Sequence, residues 1–415
     1  MGYKKYLDKA ILLVTGAFVF LLPLDRNMLS PLIGLMVVLG VMQFKRINFL
    51  ENVKLYKHYY VFIVLFLIWQ ITSLFWSEDI SRGLKSIEHR AFFIIAPLIF
   101  LLYKKWPKER LIKIFIISNF LICIFCFGNL VYFFIDKKMY FINKTINEGI
   151  NFYTFRYFTY HSGANFISFG VHRLYFSFSV LTSLLFLFFF SNAISHKFLK
   201  YVFGIIFIVV IFLIQSKIAI ILLLIILTYI TFIAFKNNKG KKRTVILTSF
   251  ILVMGLGFYL SYIRFNQSIQ QIEKIEEQTN GSLVERFQYS RCSLELIQEA
   301  PFFGYGVGDI DDKIKDKLLK YNYNYLIERG VFDPHNEFLK AYIGSGIIGF
   351  ILFLSIFIAL FYIAYKKKSE VLLFYIAFIF LICLIEPFLS RQAGILPSLF
   401  MIGLLIQETK KPETL

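Results

Sequence analysis

Charge is scarce in this sequence. Acidic and basic side chains together make up 17% of its 415 residues, where a soluble chain of this length would carry about a quarter. Its apolar runs are continuous, without the alternation of barrel strands, which excludes a transmembrane β-barrel. Cysteine is scarce too. Cys123, Cys126 and Cys383 fall inside apolar runs and only Cys292 lies in polar surroundings, so no disulfide framework is evident. The Cys123–Cys126 spacing has no second ligand pair and reads as small buried residues. No small-residue cleavage site follows the basic start "MGYKKYLDKA", so the first apolar run is expected to remain as a helix. A clear internal repeat is also missing, and polar residues cluster at the ends of apolar runs. Both observations weigh against a transporter or lipid-glycan flippase, which would show related halves or charges near mid-membrane.

What the sequence has is apolar length. It is 58% hydrophobic and 19% aromatic, with a mean hydropathy of +0.67. Runs of about 18 or more apolar residues recur, enough to cross a hydrocarbon core of ~30 Å. Helices are the natural spanning element because each satisfies its own backbone. The fold class expected is all-α, a polytopic membrane helix bundle of about 12 spans, near 10–24, 28–44, 59–76, 91–103, 111–135, 170–190, 200–215, 218–235, 244–262, 341–365, 371–388 and 393–407.

The net charge of +19 raises nucleic acid or anionic lipid as partners. Its distribution answers otherwise. With the N-terminus inside, the loops "KRINFLENVKLYK", "YKKWPKER", "KNNKGKKR" and "YKKKSE" hold about two-thirds or more of the short-loop positive charge. An even span count then puts the basic tail "QETKKPETL" inside as well. The excess therefore reports topology, with both termini cytoplasmic and no nucleic acid partner. Three regions are expected: spans one to nine over residues 1–262, including a smaller outer loop (136–169); a large outer loop, 263–340; and spans ten to twelve with the tail, 341–415. A loop as long as 263–340 needs structure of its own. It offers helical patterns in "SIQQIEKIEEQ", "SLVERFQYSRCSLELIQEA" and "DDKIKDKLLKYNY". In the middle one Leu283, Phe287, Leu294, Leu296 and Ile297 suggest an amphipathic face.

Within this loop Arg286 is followed by "PFFGYG" (301–306) and then "HNEFL" (335–339), which opens a glycine-bearing apolar run. An arginine about fifteen residues before P-x-x-G-x-G, then HN-x-x-L, resembles the pattern of the bacterial O-antigen ligase and polymerase superfamily. The topology, with one large outer loop late in the chain, is similar too. In the ligases an S-R pair stands outside the seventh span; here the matching "QSKIAII" gives Lys217. Lysine keeps the charge but loses the fork that grips two phosphate oxygens. "HRLYFS" (172–177) resembles an H-x-x-Y that some polymerase-like members carry.

The resemblance implies an integral-membrane glycosyltransferase of the bacterial inner membrane. It would move a glycan from undecaprenyl pyrophosphate, on the periplasmic face, to an acceptor hydroxyl. Lipid A–core is the acceptor in ligases, another lipid-linked repeat in polymerases. Pyrophosphate is already a good leaving group, so the demands are a base for the acceptor hydroxyl and cations for the departing charge. No metal, nucleotide or other cofactor is needed. His335 is the candidate catalytic base, against the plainer reading that "DPHN" only starts a helix. Asn336 either orients the imidazole or caps the helix, and Asp333 either fixes a tautomer or caps. Arg286 is the candidate pyrophosphate ligand, although a lone arginine on a helix is ordinarily solvated. Lys217 either binds phosphate or snorkels. Arg173 and His172 either contact the donor or anchor the interface. "GYGVG" reads as a turn, and Gly344, Gly346 and Gly349 as sites of close helix packing. The run "KYNYNYL" suits either sugar stacking or an interfacial belt. Asp309, Asp311 and Asp312 have no second ligand set to suggest a metal.

Overall fold

The computed structural model describes residues 2–24, 28–44, 49–103, 106–136, 173–214, 216–273 and 282–407. The expected outer loop 136–169 lies almost wholly outside these residues. Among those described the chain is helical, with no strand. In chain order the helices are α1 Gly2–Leu21, α2 Leu29–Met42, α3 Phe49–Thr72, α4 Ile80–His89, α5 Phe92–Leu102, α6 Lys108–Asp136, α7 Arg173–Phe189 and α8 Lys197–Ile214. There follow α9 Lys217–Asn237, α10 Lys241–Glu273, α11 Ser282–Glu299, α12 Ile310–Lys320, α13 Asn324–Arg329, α14 Glu337–Lys366, α15 Glu370–Cys383 and α16 Gln392–Ile406. Six described helices are long and apolar enough to cross a membrane, and four shorter apolar ones accompany them.

One expected span is corrected. The apolar run 371–388 is not one helix: α15 stops at Cys383, and a short 3-10 turn, Phe388–Ser390, precedes α16. Pro387 explains the stop, because proline disfavours helical backbone at the residue before it and brings no N–H. Glu386 is thereby released from a helix into a loop.

Two compact units divide the chain, and in each, hydroxyls inside the apolar bundle find hydrogen-bond partners on backbone or side chains. In Met1–Ile33 with Pro107–Ile269, α7 is buried along nearly its whole length. Its Ser177 and Thr182 donate back to the carbonyls of Leu174 and Phe178, and Ser179 donates to Asn119 on α6 at 2.8 Å. In Gly34–Trp106 with Gln270–Leu415, Tyr56 and Tyr59 of α3 donate to the carbonyls of Gly403 and Leu399 on α16, and Tyr375 to that of Pro397. Helices α5 and α16 approach closely at Gly403, where a Cβ would meet the Phe100 ring at 2.3 Å.

The helical patterns of the 263–340 segment appear as α11 and α12, with the end of α10 at Glu273. The face of α11 differs from expectation. Phe287 and Leu294 are exposed, while Val284, Gln288, Tyr289, Cys292 and Leu296 are buried. Those positions recur at helical spacings of three and four residues and form one stripe, which includes a glutamine and a cysteine that counting hydrophobic residues passes over. Tyr289, Cys292 and Leu296 pack with Ile310, Ile314 and Leu318 of α12 and with Ile343 of α14.

Candidate functional site

The site is built where α14 begins. Asn336 is its N-cap: the side-chain oxygen accepts from the N–H groups of Phe338 and Leu339 at 2.8 and 3.1 Å. Its Nδ2 donates to the Leu384 carbonyl at 2.9 Å, fastening the α15–α16 loop to this helix start. Asn336 therefore caps and does not orient the imidazole. Asp333 does neither of the things expected of it. It accepts from the backbone N–H of His335 at 3.1 Å and pairs with Lys340 at 3.0 Å. Burial works to raise this carboxyl, but the charge of Lys340 and the two hydrogen bonds hold it below the usual range. These contacts hold His335 at φ +52°, a left-handed conformation that costs a non-glycine residue roughly 1 kcal/mol. Such conformations persist where the surroundings over-determine them.

So held, the imidazole meets two partners. Its Nδ1 lies 3.3 Å from Oε2 of Glu386, and its ring sits 5.0 Å from that of Tyr289, centroid to centroid. Burial pushes the Tyr289 phenol up to about 12, so it remains a donor, to the Val331 carbonyl. The other oxygen of Glu386 accepts from Arg286 Nη2 at 2.6 Å. Burial would raise the Glu386 carboxyl, but His335 and Arg286 hold it down at about 2. One carboxylate thus joins the imidazole and the guanidinium. The Nε of Arg286 is buried without a hydrogen-bond partner among the described residues. An orphan donor of that kind costs about 1–3 kcal/mol, more when charged.

Glu386 was not a sequence candidate, because hydropathy had placed it inside a span. The signal was there: a lone carboxylate in "LIEPFL", where an ionisable residue within an apolar run is a functional candidate by default.

The "PFFGYG" stretch explains itself nearby. Helix α14 is interrupted at Ser345 and Gly346, the latter at φ +67°. The break leaves the carbonyls of Ile343 and Gly344 to accept from the N–H groups of Tyr305 and Gly306, both at 2.9 Å. Gly304, at φ +76°, approaches so closely that a Cβ would meet the Gly346 nitrogen at 2.5 Å. The expected glycine turn is present. Gly346 breaks the helix and receives this turn, in place of the expected helix-against-helix packing.

The other candidates fall on other elements. Arg173 opens α7 and Lys217 opens α9, both in the unit containing Pro107–Ile269, and His172 is outside the described residues. Asp309 is buried and accepts from Ser77 Oγ and from the N–H groups of Glu78 and Asp79, while Asp312 pairs with Arg82 at 2.7 Å. In the tyrosine run, Tyr321 and Tyr323 stack on each other, and Arg291 lies 4.3 Å above the Tyr321 ring.

Spanning-length apolar helices together with this imidazole, carboxylate and guanidinium define a multi-pass helical membrane protein with a polar site at the end of a helix. A family model described as O-antigen ligase matches residues 202–354. The matched stretch is similar to that family, in keeping with the ligase and polymerase superfamily that the sequence resembles. No curated protein matches the chain.

Proposed function

We propose that the protein is an O-antigen ligase that transfers a glycan from undecaprenyl pyrophosphate to a hydroxyl of lipid A–core on the periplasmic face of the inner membrane. The observation that carries this reading is the single carboxylate of Glu386 shared between His335 and Arg286. With Nδ1 facing Glu386, the proton sits on Nδ1 and the lone pair on Nε2. Nε2 is then the base that takes the acceptor proton, by the logic of a nucleophile–base–orienter series. The acceptor oxygen bonds to the anomeric carbon as the carbon–oxygen bond to pyrophosphate breaks. The electron pair leaves on a phosphate oxygen, where Arg286, with its unpartnered Nε, meets the growing charge. Catalysis by these groups needs no metal.

Lys217 and Arg173 are proposed as donor-phosphate ligands on the resemblance to the family. Twelve spans with both termini cytoplasmic complete the topology, so that the 263–340 segment faces the periplasm.

The test is twofold. Deleting the gene makes long lipid-linked polymer accumulate if the protein is a ligase, whereas a surface bearing single repeats assigns it to polymerisation. Purified His335→Ala enzyme is expected to insert and fold but lose transfer by about 10²–10⁴-fold. Near-normal transfer by that variant overturns the mechanism.

A further inference from the structure

A second arginine–glutamate pair lies beneath the site, and the reaction as proposed does not use it. Arg90 follows α4, and only 2% of its surface is exposed. Its Nη2 reaches Oε1 of Glu337 at 3.2 Å and donates to Ser390 Oγ at 2.7 Å, and its Nη1 donates to Gln70 Oε1 at 2.8 Å. Ser390 Oγ in turn donates to the same Glu337 oxygen at 2.5 Å. Gln70 passes the connection on, its Nε2 donating to Ser345 Oγ at 2.6 Å, at the break in α14.

The positions joined are what matter. Glu337 is two residues from His335, and Ser390 is four residues from Glu386. The segment carrying the imidazole and the loop carrying its carboxylate are therefore tied at two points: Asn336 to Leu384 on one side, and Glu337 to Ser390 through Arg90 on the other. Stability alone is a poor reason to keep such a pair, since apolar replacements of a buried ion pair are often neutral or better. Here Glu337 even leaves its Oε2 buried and unpartnered. Geometry is the better reason.

We propose that Arg90 is a positioning residue for the transfer reaction, which with Glu337 and Ser390 sets the spacing between His335 and Glu386. The inference rests on the transfer reading above. Two variants separate positioning from bulk stability. Ser390→Ala removes one bridging hydroxyl and leaves every buried charge paired. Arg90→Gln/Glu337→Gln removes both charges together and keeps hydrogen-bonding side chains. With purified enzyme and lipid-linked donor, kcat is expected to fall about tenfold in the first and about a hundredfold in the second, the donor KM unchanged, because misplacement of a catalytic group by about 1 Å costs rates of this order. In 15N-histidine-labelled protein, the His335 imidazole signal, assigned by its loss in His335→Gln, is expected to move towards its position in Glu386→Gln. Unchanged kcat together with an unmoved imidazole signal in Ser390→Ala overturns the proposal. If the double variant fails to insert, Ser390→Ala decides alone. If the wild-type enzyme transfers no glycan, the functional reading falls, and the imidazole signal still decides whether this network holds the histidine.

Discussion

The two arginine–glutamate pairs near the start of α14 are built in opposite ways. Arg286 and Glu386 stand 2.6 Å apart and partly open, the arginine side chain 28% exposed, with the spare group a guanidinium nitrogen. Arg90 and Glu337 are sealed, each side chain 2% exposed, with the spare group a carboxylate oxygen. A partly exposed pair with an unpartnered donor has bonding capacity left for an anion. A sealed pair whose arginine is bound to Gln70, Glu337 and Ser390 is suited to holding its neighbours in place. On the proposed reading the same two residue types would serve binding in one setting and scaffolding in the other, and burial would decide which.

Breaking the sealed pair on one side has the largest expected effect. Arg90→Met leaves Glu337 buried and uncompensated, which costs about 3–5 kcal/mol of stability, while Arg90→Met/Glu337→Met recovers most of it. Thermal unfolding of purified protein in lipid reads both. Equal losses in the single and double variants would mean that burial of charge is not what makes this pair sensitive.

This contrast also shows what was legible in the sequence. His335, Arg286 and the "PFFGYG" turn follow one another along a single loop, and the resemblance of their order to the family pattern brought them into view. Asn336 was legible as a possible cap because short polar side chains before an apolar run accept from the first free N–H groups. Glu386 and Arg90 were not. Glu386 sits inside the apolar run "CLIEPFLS", where a hydropathy window averages one charge away, and Arg90 ends the charged stretch "SIEHR", where it reads as a solvated loop residue. Their partners are distant in sequence, and single-sequence periodicity carries no information about such pairings. The buried face of α11 was missed for a related reason: Gln288 and Cys292 are on it while Phe287 is not, because the neighbours α12 and α14 choose the face.

Acid sharpens the comparison from the open side. The Glu386 carboxyl is held at about 2 against an ordinary value of 4.5. A depressed carboxyl contributes stability that is whole above 4.5 and drains as pH falls through 2. The full contribution is at most about 3 kcal/mol, at 1.36 kcal/mol per unit. Unfolding measured on wild type and Glu386→Gln is expected to differ at neutral pH and to converge as pH falls from about 5 towards 2. Parallel curves with a constant offset would place the Glu386 contribution elsewhere than in its charge.

The smallest expected effect is the most specific one. Arg286→Lys keeps a cation opposite Glu386 but removes the fork, and with it the Nε donor that is buried and unpartnered here. Lysine has three donors on one nitrogen, so it can satisfy Glu386 or reach a phosphate oxygen but cannot bracket both in a fixed plane. If that spare nitrogen receives the leaving group, kcat/KM for the lipid-linked donor falls about tenfold, equivalent to about 1.4 kcal/mol of transition-state stabilisation. Thermal stability should barely change, because the ion pair survives. A variant with full kcat/KM would show that only the charge of Arg286 matters and that its planar geometry contributes nothing. The open pair would then differ from the sealed one in exposure alone.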